Sequence, residues 1–214
     1  RSPVIALAAG LALWPLTPAH AEDVVIVTAT RFPERLLHSG VGMIVINAER
    51  IAASTAATLP ELLARTAGIH VRNNSGSPDL QLDMRGFGIT GDQNTLVLLD
   101  GIRINQNDLS PTQLSAIPLN AIERVEILPG GGAVLYGGGA SGGTINIITR
   151  GPSRGDKSGA VYAGVGSYGG EEARANLNAA GNDVGLSLSA SHQGSDRYRR
   201  NNRLRQDNIA GDLR

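Results

Sequence analysis

Two neighbouring segments near the C-terminal end of this 214-residue chain alternate strictly between apolar side chains and small or polar ones. A period of two residues is typical of β-strands that have two different faces. A transmembrane β-barrel has this pattern, with the polar face lining its lumen, and so has a soluble hairpin. The alternation alone therefore leaves both folds open. The apolar series are Ala173, Ala175, Leu177, Ala179 and Val184, Leu186, Leu188, Ala190, and the intervening residues are Arg174, Asn176, Asn178, Ala180 and Gly185, Ser187, Ser189, Ser191.

The first residues have the organisation of a secretory signal peptide. Residues 4–16 are uncharged and apolar, which suits a signal peptide and is too short to cross a bilayer as a helix. Ala19 and Ala21 supply the small side chains that signal peptidase accepts. We therefore predict a signal peptide over residues 1–21 and a mature chain that begins at Glu22; a buried helix of a cytosolic domain is the alternative. No later segment reaches the roughly 20 apolar residues of a membrane-spanning helix, so a barrel is the remaining way to cross a membrane.

The predicted mature chain starts with a β-branched run over residues 23–29. We expect this run to have no partner strand nearby in the sequence, and a free terminus of this kind stays mobile until something docks it. Such a segment can add as a strand to the exposed edge of a partner's sheet through main-chain hydrogen bonds. The alternative is that it forms the first strand of the next domain's own sheet.

The middle of the chain predicts an α+β domain of about 130 residues, with short strands and small helices. Thr58 and Glu61 fit a capping box with Pro60 in the first turn, and Gly68 suits the C-terminal cap of the same helix. Asp100-Gly101 is a hairpin signal between two strands. The strand at residues 80–85 alternates, which predicts that it is half-buried. The other predicted strands are residues 43–46, 69–71, 95–99, 102–104, 124–128 and 144–149.

The sequence contains no recognisable catalytic arrangement. It has no cysteine, no Gly-x-Ser-x-Gly elbow and no His-Glu-x-x-His pair. The glycine-dense residues 130–143 lack the Lys-Ser/Thr of a phosphate-binding loop, and we interpret them as turns where backbone approaches backbone. We predict no enzyme, no metal site and no cofactor. The scattered acidic residues Asp79, Asp83, Asp92, Asp100 and Asp108 are interpreted as loop and turn residues.

Charge gives little support to a nucleic-acid partner. Lys and Arg together number 19, as do Asp and Glu. One basic run stands out near the C-terminal end, and in an exported chain we interpret it as a loop between barrel strands, with a nucleic-acid patch as the alternative. It comprises Arg197, Tyr198, Arg199, Arg200, Arg203 and Arg205.

Five motifs, in order along the chain, resemble those of the TonB-dependent outer-membrane receptors. The first resembles the TonB box, the next three resemble the helix, the Arg-Gly-Phe strand and the Asp-Gly hairpin of the plug domain, and the last resembles the C-terminal half of the plug. One such motif would be weak evidence, whereas five in the family's order are specific. They occupy residues 23–31, residues 59–63 with 68–71, residues 82–87, residues 96–101, and residues 122–127 with 135–137 and 142–149.

The resemblance implies a signal peptide (1–21), a TonB box (22–31), an α+β plug domain with a short mixed sheet and small helices (32–152), and the first antiparallel strands of a truncated transmembrane β-barrel (153–214). It implies TonB-dependent import of a scarce nutrient, such as a ferric siderophore or other metal chelate, cobalamin or haem, across the outer membrane of a Gram-negative cell. The implied partners are TonB with its inner-membrane motor, the nutrient and outer-membrane lipid. The implied TonB-binding residues are Asp23, Val24, Val25, Ile26, Val27, Thr28 and Ala29.

The resemblance also implies where the nutrient binds. In this family the outer loops of the plug form the floor of the site, and by position these are residues 72–79 and 105–112. The candidate ligand residues are Asn73, Asn74, Gln106 and Asn107, with solvated loop residues as the alternative.

The chain departs from the family pattern at one turn. The family usually has Arg-Gly-Pro after the strand that ends at Ile127, and here Leu128-Pro129-Gly130 lacks the positive charge. Residues 151–214 hold about four strands, far fewer than a closed barrel needs, so we expect a fragment or a truncated product. A stand-alone plug-type periplasmic binding or interaction protein is the alternative function. The closeness of the TonB box to the cleavage site indicates a transporter without a signalling domain.

The family's topology also implies a direction for each barrel strand. Short turns belong on the periplasmic side and long loops on the outside. We expect outward strands at residues 157–167 and 184–190, an inward strand at 174–180, a periplasmic turn at 181–183, and external connections at 168–170 and 194–206.

Overall fold

The structure, a computed structural model, describes residues 25–26, 34–35, 42–74, 76–106, 108, 110–130, 138–152, 155, 157–196 and 203–213. The strands in this part of the chain are β1 (Val25–Ile26), β2 (Glu34–Arg35), β3 (Ile44–Asn47), β4 (Ile69–Arg72), β5 (Gln81–Met84), β6 (Thr95–Leu99), β7 (Ile102–Arg103), β8 (Ile122–Pro129), β9 (Gly143–Thr149), β10 (Lys157–Gly166), β11 (Gly170–Ala180), β12 (Gly185–Ser195) and β13 (Leu204–Leu213). The α-helices are α1 (Ala48–Ala53), α2 (Leu59–Ala64) and α3 (Gly91–Asn94), and single 3-10 turns lie at Gly88–Thr90, Leu114–Ala116 and Leu119–Ala121.

The elements from β3 to β9 form an α+β domain around a mixed sheet. Its strand order is β3-β8-β9-β6-β7, with β6 and β9 parallel and the other neighbours antiparallel. Strands β4 and β5 form a separate antiparallel pair. This confirms the predicted fold class of a short mixed sheet with small helices. No helix in the described part of the chain is long and apolar enough to cross a membrane.

Helix α2 attaches the helical layer to the sheet. Leu59 and Leu63 are fully buried and pack in one cluster with Ile127 and Ile145 of the sheet. The predicted capping box is present in modified form: the Glu61 backbone N–H donates to Thr58 Oγ1 at 3.4 Å, while the Glu61 carboxylate accepts the N–H of the residue before the cap, at 3.0 Å.

The prediction that Gly68 caps α2 is wrong. The helix ends at Ala64 and its C-cap is Arg65. Thr66 ends it early, because its backbone N–H donates to the Leu63 carbonyl and its hydroxyl to the preceding one. Gly68, with φ +82°, instead makes the turn that leads into β4.

The predicted Asp100-Gly101 hairpin is confirmed. Both residues have positive φ, 50° and 82°, as the favoured two-residue hairpin turn requires. Asp100 does more than turn the chain, because its carboxylate accepts from the Thr149 N–H at 2.9 Å and from the Thr149 hydroxyl at 2.6 Å. The hairpin is therefore tied to the C-terminal end of β9.

The strands β10 to β13 form an antiparallel meander, here called the wall sheet. The predicted strands at residues 157–167, 174–180 and 184–190 are present, each longer than or close to its expected length. The predicted long connection at residues 194–206 is wrong in extent, because β12 continues to Ser195 and β13 begins at Leu204. Charged residues on the outward face of β13, Arg205 and Asp207, conceal its alternation in the sequence.

Several sequence predictions concern segments outside the described residues. These are the signal peptide at residues 1–21, most of the predicted TonB box, the glycine-dense residues 131–137 and the basic residues 197–200. Arg203, the described neighbour of that basic run, pairs with Asp196 at 2.8 Å.

Helix α3 depends on a glycine at its first residue. A Cβ on Gly91 would lie 2.6 Å from the Leu82 carbonyl oxygen and 2.8 Å from the Asp83 Cβ, so the helix can approach β5 only without a side chain there. Gly91→Ala should lower the free energy of unfolding by about 1–3 kcal/mol, the usual cost of overpacking. Urea denaturation measures this, and Gly42→Ala is the matched control because a Cβ there meets nothing within 4 Å. Equal stability of the two variants would contradict the close approach.

Candidate functional site

The wall sheet has a polar face towards the α+β domain and an apolar face away from it. Asn178, Ser187 and Ser189 on the inner face are only 5–6% exposed. They are linked across strands, since Asn178 Nδ2 donates to Ser158 Oγ at 3.2 Å and Ser187 Oγ donates to Asn178 Oδ1 at 2.7 Å. The large apolar side chains of the outer face are exposed: Val161 84%, Val165 94%, Leu177 52%, Leu188 41%, Ile209 84% and Leu213 72%.

This arrangement is the reverse of a soluble sheet, which buries its apolar face against the core. The burial of alternate residues in β11 and β12 confirms the predicted alternation and shows that the polar face is the inner one. The sheet therefore needs an apolar environment on its outer side and polar partners on its inner side.

The first contact between the two parts of the molecule is made by Arg174 on β11. Its Nη2 donates to the backbone carbonyls of Ala56 at 3.0 Å and Ala57 at 3.3 Å, immediately before the cap of α2. The guanidinium also pairs with Glu172 and lies 5.4 Å from the centre of the Tyr162 ring. These partners hold the charge in a position where only 14% of the side chain is exposed.

A second contact comes from the 3-10 turn Leu119–Ala121. The buried side chains of Leu119 and Ala121 fix the turn in the core, which leaves Asn120 facing the wall sheet. Asn120 Nδ2 donates to the Ala175 carbonyl at 2.8 Å and to the Ala190 carbonyl at 3.4 Å. One amide thus bridges the neighbouring strands β11 and β12.

A third contact is centred on Ser115. Gln206 Nε2 donates to Ser115 Oγ at 3.1 Å, and Asn208 Nδ2 donates to the Ser115 carbonyl at 3.2 Å. The Ser115 N–H in turn donates to Asp79 Oδ1 at 2.8 Å. Sequence reasoning identified none of these three contacts, because they join residues 36 to 118 positions apart.

The four candidate ligand residues are placed differently from one another. Asn73 Oδ1 accepts the Gly76 N–H at 2.7 Å, and Asn74 Nδ2 donates to Gln81 Oε1 at 3.1 Å, so both have polar atoms engaged within the domain. Gln106 is exposed. Asn107 lies outside the described residues. The Asp79–Ser115 hydrogen bond joins the end of the first predicted ligand loop to the 3-10 turn Leu114–Ala116, which begins two residues after the second.

The predicted TonB box is described only at Val25 and Ile26. These two residues form β1, which pairs antiparallel with β2, Val25 opposite Arg35 and Ile26 opposite Glu34. The expectation that the run has no partner strand nearby in the sequence is therefore wrong for these two residues. Asp23, Val24, Val27, Thr28 and Ala29 lie outside the described residues, and binding of TonB by the run stays a prediction.

Two acidic residues that we interpreted as loop and turn residues lie in the interior. Asp83 is 1% exposed in β5, and its carboxylate accepts the N–H groups of Phe87 and Gly88, both at 2.8 Å, and Arg72 Nη2 at 3.3 Å. The prediction that β5 is half-buried is also wrong, because these bonds allow the polar face to be covered as well. An Asp between Leu82 and Met84 in a strand was the signal available in the sequence.

Asp92 is the second interior carboxylate. Its Oδ1 accepts the Leu82 N–H at 2.9 Å, and only 8% of the residue is exposed. Burial raises the pKa of Asp92 above its usual range, and the nearby Asp83 carboxylate raises it further, while the hydrogen bonds from Leu82 and Gln81 oppose the rise. The described residues contain no group of three His, Asp or Glu side chains placed to hold a metal ion.

A mixed-sheet domain held by polar contacts against a sheet with an apolar outer face defines a plug with part of its barrel wall. The family profile described as TonB-dependent Receptor Plug Domain matches residues 36–144, and the chain belongs to that family. The α+β domain is its plug.

Relatives and solved structures agree with this assignment. The chain is 36% identical over 169 residues to the vitamin B12 transporter BtuB of Vibrio cholerae, a match covering 76% of this chain and 27% of the relative. The corresponding transporter of Photobacterium profundum is 36% identical over 149 residues, covering 70% and 24%. The chain thus spans about a quarter of the length of these relatives.

Two structures of Pseudomonas aeruginosa proteins have the same fold. The siderophore receptor PirA superposes with a TM-score of 0.60 at 28% identity, covering 80% of this chain and 30% of that one. The pyoverdine outer membrane receptor FpvA superposes with a TM-score of 0.66 at 24% identity, covering 81% and 25%.

The raised pKa of Asp92 predicts that the ionised carboxylate lowers the stability of the folded state, by an amount that depends on pH. Because the folded state holds the Asp92 proton to higher pH than the unfolded state does, the stability that this group contributes falls as pH rises above the ordinary pKa of an aspartate. Asp92→Asn removes that cost while its side-chain oxygen can still accept the Leu82 N–H. The free energy of unfolding of the variant minus that of the parent should therefore increase between pH 4 and pH 7. Chemical denaturation at several pH values measures the difference, and a value independent of pH would contradict the burial of a charged carboxylate.

Proposed function

We propose that this chain is the N-terminal part of an active importer that carries a scarce, bulky nutrient across the outer membrane of a Gram-negative cell. The observation that supports this most directly is the wall sheet, whose apolar face is exposed while its polar face contacts the plug. Lipid on one side and a plug on the other satisfy both faces. A stand-alone periplasmic binding protein would leave the apolar face in water, which disfavours that alternative.

Energy for import enters, in this proposal, through residues 23–29. TonB adds to this segment as a neighbouring strand, so that main-chain hydrogen bonds carry the load and side-chain pockets select the partner. The two-residue pairing of β1 with β2 supports an extended backbone at Val25 and Ile26. A pairing this short is marginal by itself, and a longer partner strand can replace it.

The nutrient is a ferric siderophore, cobalamin or haem, bound on the floor formed by residues 72–79 and 105–112. Asn73, Asn74, Gln106 and Asn107 offer uncharged donors and acceptors there. We test cobalamin first, because the relatives that are 36% identical are vitamin B12 transporters. The likeness to structures of siderophore receptors makes ferric siderophores the second class to test.

Coupling through the backbone predicts a specific effect of proline. Val25→Pro removes one main-chain N–H and should abolish energised uptake of labelled cyanocobalamin by the full-length receptor, while surface binding of the same ligand stays unchanged. Val25→Ala keeps the N–H and is the matched control, expected to retain most of the uptake. Equal uptake by the two variants would count against the TonB box.

The predicted sidedness of the wall strands can be tested with a matched pair of cysteines. The chain has no cysteine of its own. In the full-length receptor without other accessible thiols, Asn201→Cys should react with a membrane-impermeant maleimide on intact cells, because its connection is proposed to be external. Asn182→Cys, in the short turn after β11, should react only after the outer membrane is breached. The opposite pattern would reverse the topology.

A further inference from the structure

Ser115, three residues after one candidate ligand loop and hydrogen-bonded to the last residue of the other, contacts the wall sheet. It accepts or donates three hydrogen bonds to residues far away in the sequence: to Asp79 from its N–H, and from Gln206 and Asn208 to its hydroxyl and carbonyl. The serine is 6% exposed, so water competes little with these partners.

Its position follows from the local fold. The neighbouring Leu114 is fully buried in the core and fixes the 3-10 turn Leu114–Ala116, which begins two residues after the loop at residues 105–112. Asp79 stands at the end of the loop at residues 72–79. The hydrogen bond between Asp79 and Ser115 therefore joins the last residue of that loop to the turn that follows the other loop.

The wall side of the contact is also held in position. Asn208 Nδ2 lies 3.4 Å from Ser191 Oγ on the adjacent strand, and Gln206 Nε2 donates to Asn208 Oδ1 at 3.3 Å. The two amides thus orient each other on the inner face of β13. They follow closely after the connection at residues 196–203, which is proposed to be external.

We propose that Gln206 and Asn208 are positioning residues for nutrient binding, which act by holding Ser115 and, through it, the loops at residues 72–79 and 105–112. This inference rests on the proposed function, because it takes those loops as the floor of the nutrient site. The wall then does more than enclose the plug: β13 sets the distance between the two loops.

Hydrogen exchange in the full-length receptor tests the connection without any ligand. Asn208→Ala should raise the exchange rate of amides in residues 73–80 by roughly five-fold, the effect of losing one ordinary hydrogen bond. The side-chain hydrogen bonds of Asn208 in the described part of the chain go to Ser115, Ser191 and Gln206. Asn176→Ala is the matched control: it lies on the inner face of β11, and no hydrogen bond joins its side chain to the plug within the described residues. Unchanged exchange in Asn208→Ala, or an equal rise in Asn176→Ala, overturns the proposal.

A double variant tests the route. Asp79→Ala should itself raise exchange in residues 73–80, and adding Asn208→Ala should raise it no further, because the connection is already broken. Independent, multiplying effects would overturn a route through Ser115. Gln206→Ala removes the contacts to the Ser115 hydroxyl and to Asn208 Oδ1 but keeps the Asn208 side chain that reaches the Ser115 carbonyl. It should give a smaller rise of the same kind, which keeps the test available if Asn208→Ala fails to fold.

Binding of cyanocobalamin separates this proposal from the proposed function. If the parent receptor binds it, Asn208→Ala should raise the Kd several-fold and Asn176→Ala should leave it unchanged; equal Kd values for Asn208→Ala and the parent overturn the positioning role. If the parent does not bind cyanocobalamin, the choice of cobalamin fails, and the exchange experiment still decides whether Ser115 connects the loops to the wall.

Discussion

The plug and the wall sheet are held together by hydrogen bonds between polar groups, and the rest of the architecture depends on this. Because most of the outer face of the wall is apolar, most polar side chains of its strands lie on the inner face, where each needs a partner; charged residues such as Arg205 and Asp207 on the outward face of β13 are the exception. Arg174, Asn120 and Ser115 provide contacts of this kind at three separate places. Each neutral hydrogen bond contributes only about 0.5–1.5 kcal/mol to stability, but an unpaired buried group costs more. Removal of the plug would therefore leave these polar groups to be satisfied by water.

Such an interface can open in a way that an apolar core cannot. When apolar surfaces separate, the whole buried area must be hydrated at once, whereas a set of discrete hydrogen bonds can exchange with water one at a time. The core of the plug differs in this respect, since Leu59, Leu63, Ile127 and Ile145 are fully buried against one another. The molecule therefore combines a plug that holds its own shape with a boundary that water can enter.

The parts of the fold that local chemistry controls could be predicted from the sequence. The Asp100-Gly101 turn and the Thr58 cap are set by the conformations and hydrogen bonds of residues within three positions, and the alternation in β11 and β12 depends only on a period of two. The errors arose where one local signal was overridden by another. Thr66, only two residues from Gly68, takes part in ending α2 earlier, and the turn after β5 covers the polar face of that strand. Charged residues on the outward face of β13 conceal its alternation.

The candidate site was less predictable than the fold because most of its contacts join residues far apart in the sequence. Asp83 reads as a polar residue in an alternating strand, and only the three-dimensional structure brings Arg72 and two backbone N–H groups to its carboxylate. From the sequence, Arg174 is an ordinary polar residue of the lumen face. Its partners are backbone carbonyls, which every residue type has, so the sequence could not identify them. The order of the motifs was enough to identify the family from the sequence, whereas the contacts made through main-chain atoms could be identified only from the three-dimensional structure.

Strand β3 lies at the edge of the plug sheet and is joined to it through β8 alone, by the pairs Ile44–Ile127, Val45–Glu126, Ile46–Val125 and Asn47–Arg124. Tension applied to the chain before Ile44 and directed away from β8 would break these pairs one after another, beginning at Ile44, because each pair carries the force only after the one before it has separated. The central strands β8, β9 and β6 keep their own ladders when β3 leaves. Such tension would therefore detach the edge strand β3 first and leave the central strands of the plug sheet paired.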